Sequence, residues 1–272
     1  MGGGATAEPL RRLREGLVGL GRVVVAFSGG ADSSLLAWVA NDTLGAGRVL
    51  CTTAVSPSLA GSERDDCAAL AQEWGLRWQP VDTDELDDAA YQVNDPQRCA
   101  HCKSALMDAV GPLASAEGAA VVLGVNLDDL GDHRPGQRAA AEAGARFPLV
   151  EAGFTKELVR AASRELGLRT WDKPAAACLA SRVPYGTPVT LTVLREVEAA
   201  EAGLRALGFD DLRVRHYGDL ARIEVPIHRL ADVVAQRQQV VEAVHDAGYR
   251  YATLDLDGLR SGNLNAAWGA VV

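Results

Sequence analysis

Residues 28 to 34, Ser-Gly-Gly-Ala-Asp-Ser-Ser, combine small residues with hydroxyls and one carboxylate, the set of groups needed to hold a polyphosphate. Gly29 and Gly30 let backbone N–H groups approach an anion with no Cβ in the way. A helix that starts directly behind them adds unpaired donors and positive potential. Ser28, Ser33 and Ser34 offer hydroxyl donors, and Asp32 offers a carboxylate suited to a phosphate-bound magnesium ion. No lysine closes the loop, which separates it from the GxxxxGK[ST] phosphate loop.

Sulfur is the second chemical resource, with five cysteines in the chain. Cys51 falls in a strand and Cys67 on an apolar helix face, so both are expected in the core. Cys99 and Cys102 stand just before a helix expected over residues 103 to 117. Their CxxC spacing lets both thiols share one metal centre, and a helix N-terminus favours the thiolate. A structural zinc pair, a redox dithiol and a cluster ligand pair all use this spacing. No second CxxC completes a zinc site, so zinc would need His101 or His133 as a further ligand. Cys178 lies in WDKPAAACLASRVPYGTP, where Pro174, Pro184 and Pro188 exclude a continuous helix. It reads either as a core thiol between Ala and Leu or as a thiol activated by Lys173, Ser181 and Arg182.

Charged residues mark two further places. GVNLDDLGDHRPGQRAA, residues 124 to 140, brings Asn126, Asp128, Asp129, Asp132, His133, Arg134 and Arg138 to the end of an apolar run. A carboxylate such as Asp129 could assist Mg²⁺ there and an arginine could meet a phosphate, against the simpler reading of a solvated, salt-bridged loop. Arg213 and Arg215 alternate with Val214, so both point to one face of a strand, with Arg222 and Glu224 as cross-strand partners. Two arginines on one face suit a phosphate or carboxylate, or else form a solvated surface.

The elements that must position these residues follow from apolar patterning. Leu10, Leu13, Leu17 and Leu20 recur at helical spacing over residues 8 to 20. Residues 22–27, 48–55, 78–83 and 119–125 read as strands with helices between them. That alternation implies an α/β fold, a doubly wound parallel sheet. Ligands of such sheets sit beyond the carboxyl ends of the strands, where Ser28, Ser56 and Asn126 fall. Thr155 opens a helix to about Leu166. From Thr190 onward, a helix over 190–207, a hairpin around Gly218-Asp219, a helix over 228–247 and the strand YATLDLD form a small α+β domain. The expected division is therefore residues 1–188 and 189–272.

A chain of 272 residues with 48% hydrophobic content can bury a full core. Its formal net charge of −9 argues against a broad nucleic-acid footprint. No run approaches the roughly 20 apolar residues of a membrane span, and MGGGATAEPLRRLREG lacks the apolar core of a secretory signal. A cytoplasmic protein with free thiols is expected.

The string SGGADS resembles the SGGxDS pyrophosphate loop of the PP-loop ATP pyrophosphatases. The resemblance implies ATP cleavage between the α and β phosphates, adenylylation of a carboxylate or carbonyl oxygen, and displacement of AMP by nitrogen or sulfur. With RCAHCK, GVNLDDLGDHRPG, DKPAAACLASRVPYG and LRVRHYGDLARIEVP following in order, nearly the whole chain looks like the LarE family of ATP-dependent sulfur transferases. The last two blocks are the more specific. That resemblance implies that residues 1–188 form a PP-loop ATP pyrophosphatase domain and residues 189–272 a substrate-binding or oligomerisation domain. The substrate it implies is pyridinium-3,5-biscarboxylic acid mononucleotide, whose carboxylates become thiocarboxylates on the way to the nickel-pincer nucleotide cofactor of lactate racemase.

Carried over by position, Cys178 handles sulfur, with Asp32 and Arg182 completing the catalytic set. ATP falls to Ser28, Gly29, Gly30, Asp32, Ser33, Ser34, Ser56 and Asn126, and Mg²⁺ to Asp32 and Asp129. The substrate phosphate falls to Arg213, Arg215 and Ser181, and a further divalent metal to Glu224 and Asp232. In members without the CxxC, Cys178 would give up its own sulfur and be left as dehydroalanine. Here Cys99, Cys102 and Cys178 together imply a [4Fe-4S] cluster with one iron free to carry sulfide. The implied partners are a small-molecule nucleotide, sulfide or another sulfur donor, and further copies of the chain in a hexamer, with no membrane. Other classes stay open: a tRNA thiolase of the same superfamily, an ammonia-using amidotransferase like NAD synthetase, which would need neither Cys178 nor the CxxC pair, and a non-enzymatic nucleotide sensor or metal-binding module.

Overall fold

The computed structural model describes residues 4–131, 135–174 and 177–260. Its elements run α1 (Ala7–Leu20), β1 (Val23–Ala26), α2 (Ala31–Leu44), β2 (Val49–Val55), α3 (Gly61–Glu73), β3 (Trp78–Asp82), α4 (Ala89–Gln92), α5 (Arg98–Glu117) and β4 (Ala120–Leu123). They continue as α6 (Pro135–Glu142), α7 (Pro148–Glu151), α8 (Lys156–Glu165), α9 (Leu191–Ala206), β5 (Arg213–Tyr217), β6 (Leu220–Glu224), α10 (Leu230–Ala235), α11 (Arg237–Asp246) and β7 (Tyr251–Leu254). Asp132, His133 and Arg134 lie outside the described residues.

In the first compact unit, residues 4–85 and 99–174, four parallel strands stand in the order β3-β2-β1-β4. Side-chain alternation along β1 covers both faces of this sheet. Val23 and Val25 join a core with Leu35 and Leu36 of α2, Leu70 of α3 and Val159 of α8. Val24 instead joins Leu106 and Val110 of α5 and Ala140 of α6. The crossovers through α2 and α3 step one way along the sheet, and the crossover through α5 steps back past β1. Right-handed connections in opposite directions place their helices on opposite faces, as found here. The direction reverses between β1 and β4, so the crevice at their carboxyl ends is the topological switch point. Pro80 is tolerated because β3 is an edge strand. The sheet is thus the expected doubly wound α/β arrangement. Among the described residues no helix is long and apolar enough to cross a membrane.

The second compact unit takes residues 86–98 and 177–260. It holds a sheet of order β5-β6-β7, with β5 antiparallel and β7 parallel to β6. Val214, Ala221 and Ile223 pack against Leu204 of α9 and Val240 and Val244 of α11, which gives the small α+β arrangement. Against an expected division after residue 188, residues 177–188 group with this unit, and so does the stretch around α4. Asn94 is the reason. Its side-chain amide donates to the carbonyls of Pro184 and Thr187 at 2.8 Å each. Arg98 in turn donates to the Asn94 side-chain oxygen at 2.5 Å and to the Ala180 carbonyl at 2.8 Å.

Two helices differ from expectation. α5 begins at Arg98 instead of residue 103, because the Asp95 carboxylate accepts from the Gln97 N–H at 2.7 Å and Pro96 suits a helix start. Cys99 and Cys102 therefore lie within the helix. The helix expected over 228–247 breaks at Gln236 into α10 and α11; the residue types there carry no breaking signal.

Candidate functional site

The loop after β1 is fixed at its base. Phe27 donates its N–H to the Thr52 carbonyl at 2.7 Å, and Thr53 Oγ1 donates to the Phe27 carbonyl at 2.6 Å. Gly29 then turns through φ +68°, where a Cβ would stand 3.0 Å from Cys67 Sγ. Cys67 is the floor of the turn and not a reagent: burial pushes its thiol up to about 11, as it pushes Cys51 up to about 12. Ser33 Oγ accepts from the Ser28 N–H at 3.2 Å and donates to the Gly30 carbonyl at 3.2 Å. Gly30 caps α2 with no side-chain bond, which leaves the first turn's N–H groups for another acceptor. Ser34 Oγ is fully buried without a hydrogen-bond partner among the described residues. A Cβ on Gly124 would stand 2.6 Å from the Ser33 backbone nitrogen, so only glycine lets the end of β4 press against this turn.

Carboxylates gather at the same end of the sheet. Asp32 Oδ1 accepts from Asn126 Nδ2 at 2.9 Å, and its Oδ2 accepts from Lys156 Nζ at 2.5 Å. The Asn126 backbone donates to Asp129 Oδ2 at 3.2 Å, and the Lys156 backbone to Asp128 Oδ2 at 2.7 Å. Asp32, Asn126 and Asp129, named from the sequence, thus stand together, joined by Lys156, which the sequence reading missed. Its one signal was a cation at the first position of a helix, where the macrodipole disfavours positive charge. Ser56 Oγ donates to Glu85 Oε1 at 2.5 Å at the end of β2.

Lys173, one of the groups that could have activated Cys178, is committed to α3. Its Nζ donates to Glu63 at 2.8 Å and Asp66 at 2.7 Å, and lies 3.7 Å from where a Gly29 Cβ would be. Burial pulls its pKa down, but the hydrogen bonds to Asp66 and Glu63 outweigh that and hold it above the usual lysine value.

Cys99 is exposed and Cys102 half-buried, one helical turn apart on α5. A Cβ on Gly136 would lie 2.7 Å from the Cys99 carbonyl oxygen, so α6 packs directly on this turn. Cys178 is exposed and caps a short 3₁₀ turn, Leu179–Arg182. Arg182 braces that turn from beneath, donating to the Ala177 carbonyl at 2.6 Å and the Cys178 carbonyl at 3.2 Å. Its guanidinium is buried against Glu201 at 2.7 Å, and Glu201 also accepts from the Val214 N–H at 3.1 Å. The structure therefore makes Arg182 a support for Cys178, where the sequence suggested a catalytic group. The CxxC pair belongs to the first unit and Cys178 to the second. Among the described residues no three His, Cys, Asp or Glu side chains are gathered into a set that could hold a metal ion.

The arginines of β5 differ from each other. Arg215 is buried, donating twice to Glu224 Oε2, at 2.8 and 3.0 Å, and once to the Ser181 carbonyl at 2.9 Å. Arg222 holds the other Glu224 oxygen at 3.1 Å. Glu224, suggested as a metal group, thus has both oxygens taken by arginines, while Asp232 pairs with Arg229 at 2.7 Å on the surface. Arg213 is half-buried and makes one long bond, at 3.3 Å, to the Arg260 carbonyl. Burial first, then the neighbouring Arg215 and Arg182 charges, pull its pKa below the usual arginine range. A group under like-charge pressure is one that an anion would relieve.

Comparison with known proteins places these features in context. Residues 15–108 match the family model described as NAD synthase. The chain is 46% identical over 259 residues to an uncharacterized protein of Synechocystis sp., covering 94% of this chain and 96% of that one. It is 42% identical over 247 residues to pyridinium-3,5-bisthiocarboxylic acid mononucleotide synthase of Lactiplantibacillus plantarum, covering 90% of each. An uncharacterized protein of Methanocaldococcus jannaschii is 25% identical over 241 residues, 88% of this chain and 91% of that protein.

Proposed function

The chain belongs to the LarE family of ATP-dependent sulfur transferases, and on that premise we propose that it adenylylates the carboxylates of pyridinium-3,5-biscarboxylic acid mononucleotide and converts them to thiocarboxylates. The observation that carries this reading is the loop Ser28–Ser34, set with Asp32, Asn126 and Asp129 at the β1/β4 switch point of such a chain.

The unfilled N–H groups of α2 and the Ser28, Ser33 and Ser34 hydroxyls would take the β and γ phosphates. Asp32 and Asp129 would meet the accompanying Mg²⁺, whose hard oxygen preference their carboxylates suit and which keeps water as its other ligands. Asn126 holds Asp32 in place by its 2.9 Å bond. A free carboxylate is a poor electrophile. Transfer of AMP onto it, with pyrophosphate leaving, gives the acyl carbon a leaving group that a sulfur nucleophile can displace. Arg213 would anchor the substrate's phosphate, with Arg215 and Ser181 fixing the strand and loop around it.

For sulfur, the three accessible cysteines Cys99, Cys102 and Cys178 provide the soft donors that iron prefers. Were the three to converge, they would hold a [4Fe-4S] cluster offering a docking point for exogenous sulfide. Exposure of Cys178 also suits direct attack by its own sulfur, the single-use variant of the same reaction. Isotope exchange between pyrophosphate and ATP tests the reading: it should require the dicarboxylate nucleotide and vanish in Asp32→Ala. Exchange at the wild-type rate in that variant would remove the loop from the active site.

A further inference from the structure

We propose that Arg98 grips a ring carboxylate of the substrate nucleotide beside Cys178; this rests on the reading of the chain as a transferase acting on that nucleotide. Among the described residues of the second unit three arginines are buried, Arg98 at 5% exposure, Arg182 at 7% and Arg215 at 3%. Arg182 has Glu201 at 2.7 Å and Arg215 has Glu224 at 2.8 Å. Arg98 has no carboxylate partner among the described residues. Its contacts are the Asn94 side-chain oxygen at 2.5 Å, the Ala180 carbonyl at 2.8 Å and the Tyr185 ring, whose centroid lies 5.6 Å from the guanidinium carbon. A buried charge costs free energy unless an opposite charge answers it. Arg98 also stands at the first position of α5, the end of a helix that favours anions.

Both tethers leave from one nitrogen, Nη1. The edge formed by Nε and Nη2 makes no hydrogen bond among the described residues, and such an edge meets a carboxylate with two parallel N–H donors. A planar fork of this kind matches a planar oxyanion, where a hydrosulfide offers a single centre. The Ala180 tether also fixes where the fork stands. Ala180 belongs to the turn Leu179–Arg182 that Cys178 caps. The next carbonyl, that of Ser181, accepts from Arg215 at 2.9 Å, and Arg213 lies two residues earlier on the same strand face. Adjacent carbonyls therefore tie the turn bearing Cys178 to Arg98 and to the strand that carries the arginine proposed for the phosphate. A nucleotide held by its phosphate at Arg213 has its ring carboxylates as its other anionic end. Arg98 would answer one of them, with the sulfur of Cys178 on the turn it braces.

The test measures equilibrium binding to the full chain of three probes: nicotinic acid mononucleotide, with one ring carboxylate, nicotinamide mononucleotide, with a neutral amide in its place, and ribose 5-phosphate. The wild type should bind the acid about tenfold or more tighter than the amide, the worth of a hydrogen bond to a charged group. In Arg98→Met that preference should disappear with ribose 5-phosphate affinity unchanged, whereas Arg213→Met should weaken all three probes together. Arg98→Lys, which restores the charge without the fork, should recover part of the preference. Asn94→Ser cuts the amide bonds to Pro184 and Thr187 and keeps the Arg98 charge, so it should keep the preference. A loss in Asn94→Ser equal to that in Arg98→Met would make Arg98 only a brace for the loop and overturn the proposal. A preference for the acid that survives in Arg98→Met also overturns it, and leaves the substrate assignment standing if the dicarboxylate nucleotide still binds. A wild-type chain that binds neither the dicarboxylate nucleotide nor any probe overturns the substrate assignment first. Should Arg98→Met unfold, Arg98→Gln keeps an N–H for the tethers without the charge and carries the same expectations.

Discussion

Arg213 and Arg215 lie on one face of one strand yet have different surroundings, and substitution should separate them. Removing one partner of a buried ion pair leaves an uncompensated charge, at a cost of about 3–5 kcal/mol. Arg215→Ala removes one of the two arginines on buried Glu224 and leaves Arg222 on its other oxygen, so it should lower stability to denaturant measurably but by less than that full amount. Arg213→Ala breaks no ion pair among the described residues and should lose affinity for the substrate nucleotide with its denaturation midpoint nearly unchanged. Equal stability losses in the two variants would contradict this division. The shared face was legible from the alternation with Val214, and Glu224 from the cross-strand register. Burial of the pair was not, because alternation says which face a side chain takes and nothing about what covers that face. His216 offers a pH test at the same scale. It is buried against Tyr249 at 3.2 Å with Glu196 at 3.8 Å, and burial lowers its pKa below the usual 6.5 despite that carboxylate. As pH falls, the unfolded chain takes up this proton first. The contribution is therefore full above pH 6.5 and lost as pH falls below it. Stability measured across that window should fall less in His216→Gln than in the wild type.

At the scale of elements, the site depends on close backbone contact between the end of β4 and the first turn of α2. In Gly124→Ala the new methyl would meet backbone at 2.6 Å, which cannot rotate aside. Overpacking of this kind costs about 1–3 kcal/mol. The displaced turn should also weaken nucleotide binding, and undiminished ATP affinity in Gly124→Ala would show that the contact does not shape the loop. Thr190 Oγ1 caps α9 by accepting from the Val193 N–H at 3.3 Å, so Thr190→Ala should cost about 1 kcal/mol by thermal or denaturant unfolding. Such caps were legible, because Thr155 and Thr190 stand immediately before periodic apolar runs. The start of α5 carries an equally local signal in Asp95-Pro96, just ahead of the CxxC. The break at Gln236 had no residue-level signal and is settled by how Val233, Val240 and Val244 reach a common core.

Across the whole molecule, the parallel sheet was legible because strand and helix signals alternate cleanly, whereas its strand order has no signal in local residue types. The grouping of residues 86–98 with 177–188 was not legible, since it rests on Asn94 and Arg98 reaching carbonyls far along the chain. The same limit hid Lys156 and the commitment of Lys173 to α3, since their partners Asp32, Glu63 and Asp66 are all distant in sequence. We propose ATP-dependent sulfur transfer to the carboxylates of a mononucleotide, sustained by the three cysteines. It is tested most directly by anaerobically reconstituting the protein with iron and sulfide, supplying ATP, Mg²⁺, the dicarboxylate nucleotide and excess sulfide, and measuring thiocarboxylate formed per chain alongside the mass of Cys178. The expected result is more than one thiocarboxylate per chain, one AMP released for each, and Cys178 unchanged. A yield that stops at one, with Cys178 converted to dehydroalanine, would contradict the sustained route, and no thiocarboxylate or AMP at all would contradict sulfur transfer itself.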